Sequence, residues 1–258
     1  MAENSGKEHS GKELAGKTAF VTGGSNGIGA AAARMLADAG AAVMIGYNRG
    51  EDRARKLVQE LPGSGHHIQQ LALEDGASVR AAAAAAEAAY PALNILVNSA
   101  GFTRPIPHDR LDELDDEFMD AMLIANVRGP FSVIRALAPA LKASGDGVII
   151  NVSSVSAFTG MGSNIAYVAT KAAIDAISMS LARVLGPEIR VMCVSPGAVA
   201  TDFVAGRGRP QLEKLMQGSP LGRVTEPEDV ARAILACITH LKATTGDRII
   251  VDGGRFLG

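Results

Sequence analysis

Cysteine is scarce in this 258-residue chain, and the two present, Cys193 and Cys237, both fall in apolar runs. That usage excludes a disulfide framework and points to buried thiols in a reducing compartment. The five histidines, His9, His66, His67, His108 and His240, have no metal-ligand spacing, so no metal is expected. Charge of one sign is lacking too. With 25 basic and 27 acidic residues the net charge is −2, which offers neither nucleic acid nor an anionic membrane a basic face. No stretch reaches the ~18 apolar residues, uninterrupted by charge, that a spanning helix needs. Residues 1–13 are polar and rich in glycine and serine, without the apolar core of a signal peptide. The expectation is a soluble cytoplasmic protein with a flexible amino-terminal tail over 1–14.

Tryptophan is absent, yet 47% of the residues are hydrophobic. A chain of this length and content suits one large α/β domain with a core that needs neither metal nor disulfide. Apolar runs at Lys17–Thr22, Ala42–Tyr47, His67–Leu73, Asn94–Asn98, 147–153, Ile189–Val194 and Arg248–Asp252 read as strands. Between them lie helical stretches at Ala30–Ala39, Glu51–Leu61, Gly76–Tyr90, Asp112–Ala125, Val127–Lys142, the segment ending near Leu185, and Pro227–Leu241. Strands alternating with helices imply a doubly wound, Rossmann-type parallel sheet of about seven strands, covered on both faces, in one domain over 15–258. The 201–220 region breaks the rhythm with glycine and proline and reads as a mobile insertion over a site.

The first strand runs straight into Gly23-Gly-Ser-Asn-Gly-Ile-Gly and then a helix. Glycines there let backbone N–H groups approach a phosphate at the helix N-terminus. No Lys-Ser/Thr follows, which excludes a P-loop NTPase. After the second strand stands Tyr47-Asn48-Arg49, with no acid until Glu51. An acid would bind both ribose hydroxyls of NAD and repel the 2′-phosphate of NADP. Arg49 could instead pair with that phosphate, its guanidinium fork suiting the contact, or be an ordinary turn arginine.

Tyr167 and Lys171 are four apart in a helical segment, one turn apart on one face. A tyrosine hydroxyl has a pKa of about 10, and a neighbouring ammonium can lower it by roughly 1–3. The helix's apolar stripe reads as Ile165, Val168, Ala172, Ala176 and Leu181, with Tyr167 and Lys171 on a different side. Ser154 ends the strand at 147–153, where ligands gather in open α/β sheets; Ser153 and Ser156 compete with it. Arg207 and Arg209 could meet an acidic substrate tail or be solvated loop charge. Taken alone, Tyr-x-x-x-Lys and a strand-end serine are ordinary surface features.

Together the motifs make a chain that resembles the short-chain dehydrogenase/reductases, over residues 15–258. Thr22-Gly-Gly-Ser-Asn-Gly-Ile-Gly29 fits the TGxxxGxG loop, and Asn98-Ser-Ala-Gly101 fits NNAG with serine as its second residue. Asn126 falls at the family's catalytic asparagine, at a helix kink. Ser154, thirteen residues before Tyr167, fits with Lys171 the Ser…Tyr-x-x-x-Lys pattern, which selects Ser154 over its neighbours. Pro196-Gly197 and Thr201 fit PGxxxT. The family's aspartate at adenine is missing: Ala72 stands there, with Glu74 and Asp75 displaced along the chain.

The resemblance implies hydride transfer between a nicotinamide and a carbonyl or secondary alcohol, with NADP(H) preferred and NAD(H) possible. It assigns Asn126, Ser154, Tyr167 and Lys171 to catalysis, Tyr167 as proton donor and Asn126 holding a water that links Lys171 to solvent. The dinucleotide falls to Gly23, Ser25, Asn26, Gly27, Ile28 and Gly29; to Tyr47, Asn48, Arg49 and Leu73; to Asn98, Ala100 and Gly101; to Tyr167 and Lys171; and to Pro196, Gly197, Val199 and Thr201. The nearest look is to 3-oxoacyl-carrier-protein reductases, through Gly101-Phe-Thr-Arg, Pro220-Leu-Gly-Arg, Glu226-Pro-Glu-Asp-Val and Val251-Asp-Gly-Gly. Sugar-alcohol, steroid and other secondary-alcohol dehydrogenases share those segments. A non-catalytic dinucleotide-binding regulator is a further class, against which the intact Ser/Tyr/Lys set argues. The partner expected is a small-molecule substrate, and the assembly a homotetramer or, second, a dimer. Small residues at Ala169, Ala172, Ala173, Ala176 and Ser180 would admit a partner helix.

Overall fold

The computed structural model describes residues 12–257. Most of the expected tail, residues 1–11, lies outside them. Leu14 does not behave as tail: its side chain is buried in the core and its N–H donates to Ala39 O at 2.8 Å.

Seven strands form one parallel sheet in the order β3-β2-β1-β4-β5-β6-β7: β1 (Thr18–Thr22), β2 (Ala42–Tyr47), β3 (His67–Gln70), β4 (Ile95–Asn98), β5 (Gly147–Val152), β6 (Ile189–Pro196) and β7 (Arg248–Val251). Strand order reverses between β1 and β4, which opens a crevice at their carboxyl ends. Every residue of β1, β4 and β5 is buried, as continuous apolar runs of a sheet covered on both faces must be. Alternation along each strand divides the core. Ala19, Val21, Val148 and Ile150 pack toward helices α1 (Gly27–Asp38), α2 (Glu51–Glu60) and α9 (Pro227–Thr239). Phe20, Leu96, Ile149 and Val191 face α3 (Gly76–Ala89), α5 (Gly129–Ala143) and α7 (Ile165–Leu185).

Two expected helices prove to be one. α4 (Asp116–Leu123) passes into α5 through a π turn at Ile124–Arg128, without a break at Asn126. Asn126 sits inside that wide turn, and its buried amide clamps the loop after β4. Oδ1 accepts from Phe102 N at 3.0 Å and Nδ2 donates to Phe102 O at 2.9 Å. Glycine at 101 leaves room for this clamp, since a Cβ would lie 2.9 Å from Asn126 Oδ1 and displace it.

Two short helices were not foreseen, α6 (Ser156–Thr159) and α8 (Arg209–Met216). Glycine and proline masked α8, although Leu212 and Met216, four apart, bury against Ala198 and Val224. The region 201–220 is therefore helical in part. The Asp116–Ala143 and Ile165–Leu185 helices are long and apolar enough to cross a membrane by length and composition; both flank the sheet, α5 against β5 and α7 against β6.

Asn126→Ala would strand both Phe102 backbone groups. It is expected to lower the unfolding free energy by about 1–3 kcal/mol, the cost of leaving such groups unpaired, as measured by urea denaturation. A loss below about 0.5 kcal/mol would mean that water replaces the amide.

Candidate active site

A cavity of about 1350 Å³ lies across the carboxyl ends of the strands, lined at one end by the loop after β1 and at the other by residues of the 201–220 region. Asn26 caps α1, its side chain accepting from Gly27 N at 2.9 Å. Gly23, at φ +64°, lets the loop approach β4: a Cβ would lie 2.9 Å from Ala100 Cα. Gly29 lies under the loop, where a Cβ would lie 2.3 Å from Gly23 O. The first turn of α1 carries no acid, so its N-terminus offers an uncompensated positive pole to an anion. A dinucleotide pyrophosphate fits this cradle.

Beyond the loop the wall continues through Tyr47, Asn48, Arg49 and Gly50 to Arg53. A Cβ on Gly50 would lie 2.6 Å from Arg53 Nη2 and 2.8 Å from Ser25 Oγ, so the Arg53 guanidinium reaches back to the glycine loop. Sequence reasoning missed Arg53; its spacing of four from Arg49 at a helix start was the available signal. Glu51 is absent from the wall and is held by Arg55, with Nε at 2.9 Å. The adenine end is lined by Leu71, Leu73 and Glu74, while Asp75 caps α3 by accepting from Ala77 N at 2.8 Å.

Ser154, Tyr167 and Lys171 meet in the middle of the cavity wall. Asn164, another residue not foreseen, positions the tyrosine helix. Its Oδ1 accepts from Tyr167 N at 2.6 Å, and its Nδ2 donates to Arg104 O at 2.7 Å and Thr103 Oγ1 at 3.1 Å. The buried face of α7 is Ala166, Thr170, Lys171, Ile174, Asp175, Ser178 and Ala182, not the expected stripe. Ile165 and Ala176 are exposed. Hydrophobicity misled there because this face carries polar side chains that find partners: Ser178 Oγ donates to Ile174 O at 2.7 Å and accepts from Asn151 Nδ2 at 2.8 Å.

The electrostatics also depart from expectation. Burial in the walled cleft pushes the Tyr167 hydroxyl up to about 12, against the opposing pull of the adjacent Ser154 hydroxyl and the Arg207 charge. The Lys171 ammonium lies over the ring and is bonded away from the hydroxyl. Nζ is 5.6 Å from the ring centroid and donates to Val152 O at 2.7 Å. Burial pushes Lys171 down to about 8, with Cys193 and Asp175 acting the other way. Ser153 is turned inward, its Oγ directed at Lys171 O at 3.4 Å. Ser154 Oγ lies 3.1 Å from Ser156 Oγ and accepts from Ser156 N at 3.1 Å.

The cavity wall thus includes Gly23, Ser25, Asn26, Gly27, Ile28, Tyr47, Asn48, Arg49, Leu73, Ala100, Gly101, Pro196, Gly197, Val199 and Thr201 among the expected cofactor residues. Gly29, Asn98 and Asn126 stand behind it. Asn98 is buried and donates through Nδ2 to Asn151 Oδ1 at 2.9 Å. The two candidate arginines separate: Arg207 lines the cavity, whereas Arg209 is exposed and bonded to Glu213 and Glu226.

Comparison with known proteins places this arrangement in a class. A family model described as enoyl-(acyl carrier protein) reductase matches residues 23–255. The chain is 36% identical over 245 residues to a granaticin polyketide synthase putative ketoacyl reductase of Streptomyces violaceoruber, covering 93% of this chain and 96% of that one. It is equally 36% identical to a 3alpha-hydroxysteroid dehydrogenase of Mediterraneibacter gnavus, covering 93% and 97%. A short-chain dehydrogenase from Burkholderia cenocepacia in complex with NADP superposes with TM-score 0.85 at 33% identity, covering 94% of this chain and 99% of that chain. A 3-ketoacyl-(acyl-carrier-protein) reductase from Brucella melitensis complexed with NADH gives 0.84 at 31%, covering 94% and 99%. The chain belongs to the short-chain dehydrogenase/reductase family, and it is an oxidoreductase of the branch that includes the 3-oxoacyl-carrier-protein reductases.

The ammonium of Lys171 should titrate near 8, charged below and neutral above, as read by carbon-13 NMR of labelled lysine with Lys171→Met to assign the signal. Its folded pKa lies below its ordinary 10.5. The unfolded chain therefore keeps the proton longer, and this group adds stability as pH rises from about 8 toward 10.5. A midpoint at the ordinary lysine value would contradict the buried setting.

Proposed function

We propose that the protein is an NADP(H)-preferring ketone reductase acting on a 3-oxoacyl thioester or similar ketone. The observation that carries this reading is the meeting of Tyr167, Ser154 and Lys171 in the wall of the cavity that holds the glycine cradle. A bound nicotinamide would supply the hydride to the carbonyl carbon. Tyr167, protonated at any physiological pH, donates the proton to the forming alkoxide. Ser154 hydrogen-bonds the carbonyl oxygen and aligns it. Lys171, anchored on Val152 O, keeps further N–H bonds for ribose hydroxyls. The Asn126 side chain, bonded to Phe102, keeps an Oδ1 lone pair that could accept from a water leading to Lys171.

NADP preference is supported by Arg49 and Arg53 in the wall and by the diversion of Glu51 to Arg55. The hydroxysteroid dehydrogenase relative and the apolar walls at Met161, Phe203, Leu215 and Phe256 favour a second reading, a secondary-alcohol dehydrogenase. For assembly we infer a homotetramer, with a dimer second. Ala169, Ala176 and Ser180 are exposed on α7, beside an apolar groove of Leu123, Ile124, Val127, Phe131 and Ile177. Free, buried Cys193 and Cys237 support a cytoplasmic location.

Tyr167→Phe should cost at least about a hundredfold in turnover of NADPH against a 3-oxoacyl thioester or ketone panel, with cofactor binding retained by fluorescence titration. More than a third of wild-type turnover would reject Tyr167 as proton donor.

Wild-type kcat/KM should favour NADPH over NADH. Arg49→Ala and Arg53→Ala should each weaken NADPH by roughly tenfold, the scale of one lost charge-assisted contact, and NADH little. Equal kcat/KM for the two cofactors would return both arginines to the status of surface charge.

A further inference from the structure

The substrate end of the cavity holds two guanidinium groups that catalysis by Ser154, Tyr167 and Lys171 does not use. Arg207 and Arg255 both line it, together with Phe203, Leu215 and Phe256. Arg207 is half-buried and close enough to feel the charge of Arg255 and the Tyr167 hydroxyl. Among the described residues neither arginine has an acidic partner within 4.0 Å.

The neighbouring acids are occupied or apart. Asp252, also in the wall, accepts from Gly254 N at Oδ1 (2.9 Å) and from Phe256 N at Oδ2 (2.6 Å), which fixes the turn that carries Arg255. Phe256 packs edge-on against Phe158 with centroids 4.7 Å apart, which holds the same turn in place. Asp202 also lines the cavity but is exposed and ion-paired with neither arginine. The contrast within one segment is informative: Arg209, two residues on, turns outward to Glu213 and Glu226. Arg207 is half-buried and Arg255 exposed, and two like charges beside each other at a partly apolar wall raise each other's cost unless an anion sits between them. Burial and the mutual repulsion both hold the Arg207 pKa below its ordinary value.

We propose that Arg207 and Arg255 form an anion seat, and that the substrate is a ketone bearing a carboxylate which the seat binds. The proposal rests on the reductase reading and narrows its substrate from ketones in general to oxo acids. A guanidinium pair suits a carboxylate because each fork can give parallel N–H bonds to its oxygens. Phosphate on the carrier arm of a thioester shares that chemistry, so the test must separate the two.

NADPH oxidation is measured with 4-oxopentanoate and 4-oxopentanamide, alike in size and unlike in charge. Wild-type kcat/KM should be at least about tenfold higher for the acid, and Arg207→Gln and Arg255→Gln should each pull that ratio toward one. A ratio near one in the wild type overturns the proposal, and so does a ratio that survives both replacements. The same variants are assayed with 3-oxobutanoyl-coenzyme A and its N-acetylcysteamine thioester. A loss of preference confined to the coenzyme A ester assigns the seat to phosphate and overturns the carboxylate. Thermal unfolding of NADPH-loaded enzyme gives a readout free of turnover. The acid, not the amide, should raise Tm, and the double replacement should remove the rise. Absence of turnover with every ketone sinks the reductase reading alone if the acid-specific rise persists; absence of the rise sinks the anion seat.

Discussion

The site depends on a set of side-chain hydrogen bonds that hold the carboxyl ends of β1, β4 and β5 level. Thr22 Oγ1 accepts from both Ser99 N and Ala100 N at 3.1 Å, which joins the end of β1 to the segment leaving β4. Asn98 donates to Asn151 at 2.9 Å and Asn151 to Ser178 at 2.8 Å, which ties β4 to β5 and β5 to α7. These groups are buried, where a satisfied bond is worth most and a broken one costs most. The glycine loop hangs from one end of this rung and the tyrosine helix from the other. Cradle and proton donor therefore keep a fixed separation without any residue spanning the cavity.

Burial then sets the chemistry of the pair on α7. A Lys171 charge near the Tyr167 hydroxyl was expected to lower its pKa, but the ammonium is bonded to Val152 O, 5.6 Å from the ring centroid, and burial outweighs it. Desolvation moves both groups toward neutrality, tyrosine up to about 12 and lysine down to about 8. In this state the tyrosine is protonated at neutral pH but a weak acid, and it gives its proton only to a strong base such as the forming alkoxide. Taking a proton, in the direction of alcohol oxidation, requires the charges to be rearranged around the hydroxyl.

The parallel order, the glycine loop and the Tyr167/Lys171 pairing were legible because periodicity and local spacing encode them, and Ser154 was joined to them by the family resemblance. What the sequence hid was set by distant contacts. The π turn joins two segments that read as separate helices, because Asn126 bonds across to Phe102, which no helical period reports. The buried face of α7 was misread since Thr170, Asp175 and Ser178 are polar and hydrophobic pattern places such residues outside. Arg248 reaches Asp175 at 2.8 Å from β7, a pairing across 73 positions of chain. Asn164 and Arg53 escaped notice for a related reason: each works through loop geometry that brings it next to residues far from its neighbours in sequence.

Net charge near zero conceals how charge is apportioned locally. Around the cavity the acids are consumed by near neighbours: Glu51 by Arg55, Glu226 by Arg209, and Asp229 by Arg223 and Arg232. Those ion pairs hold Asp229 down at about 2, so its charge is present throughout the neutral range. Asp252 is spent on backbone N–H groups. Arg49, Arg53, Arg207 and Arg255 line the cavity, and none of them is in an ion pair among the described residues. The other charged residues of the wall are Lys171, Glu74, Asp202 and Asp252. A cavity whose wall carries four guanidinium groups without ion pairs favours anionic ligands, so selection depends on which acids are already paired rather than on the charge of the whole chain.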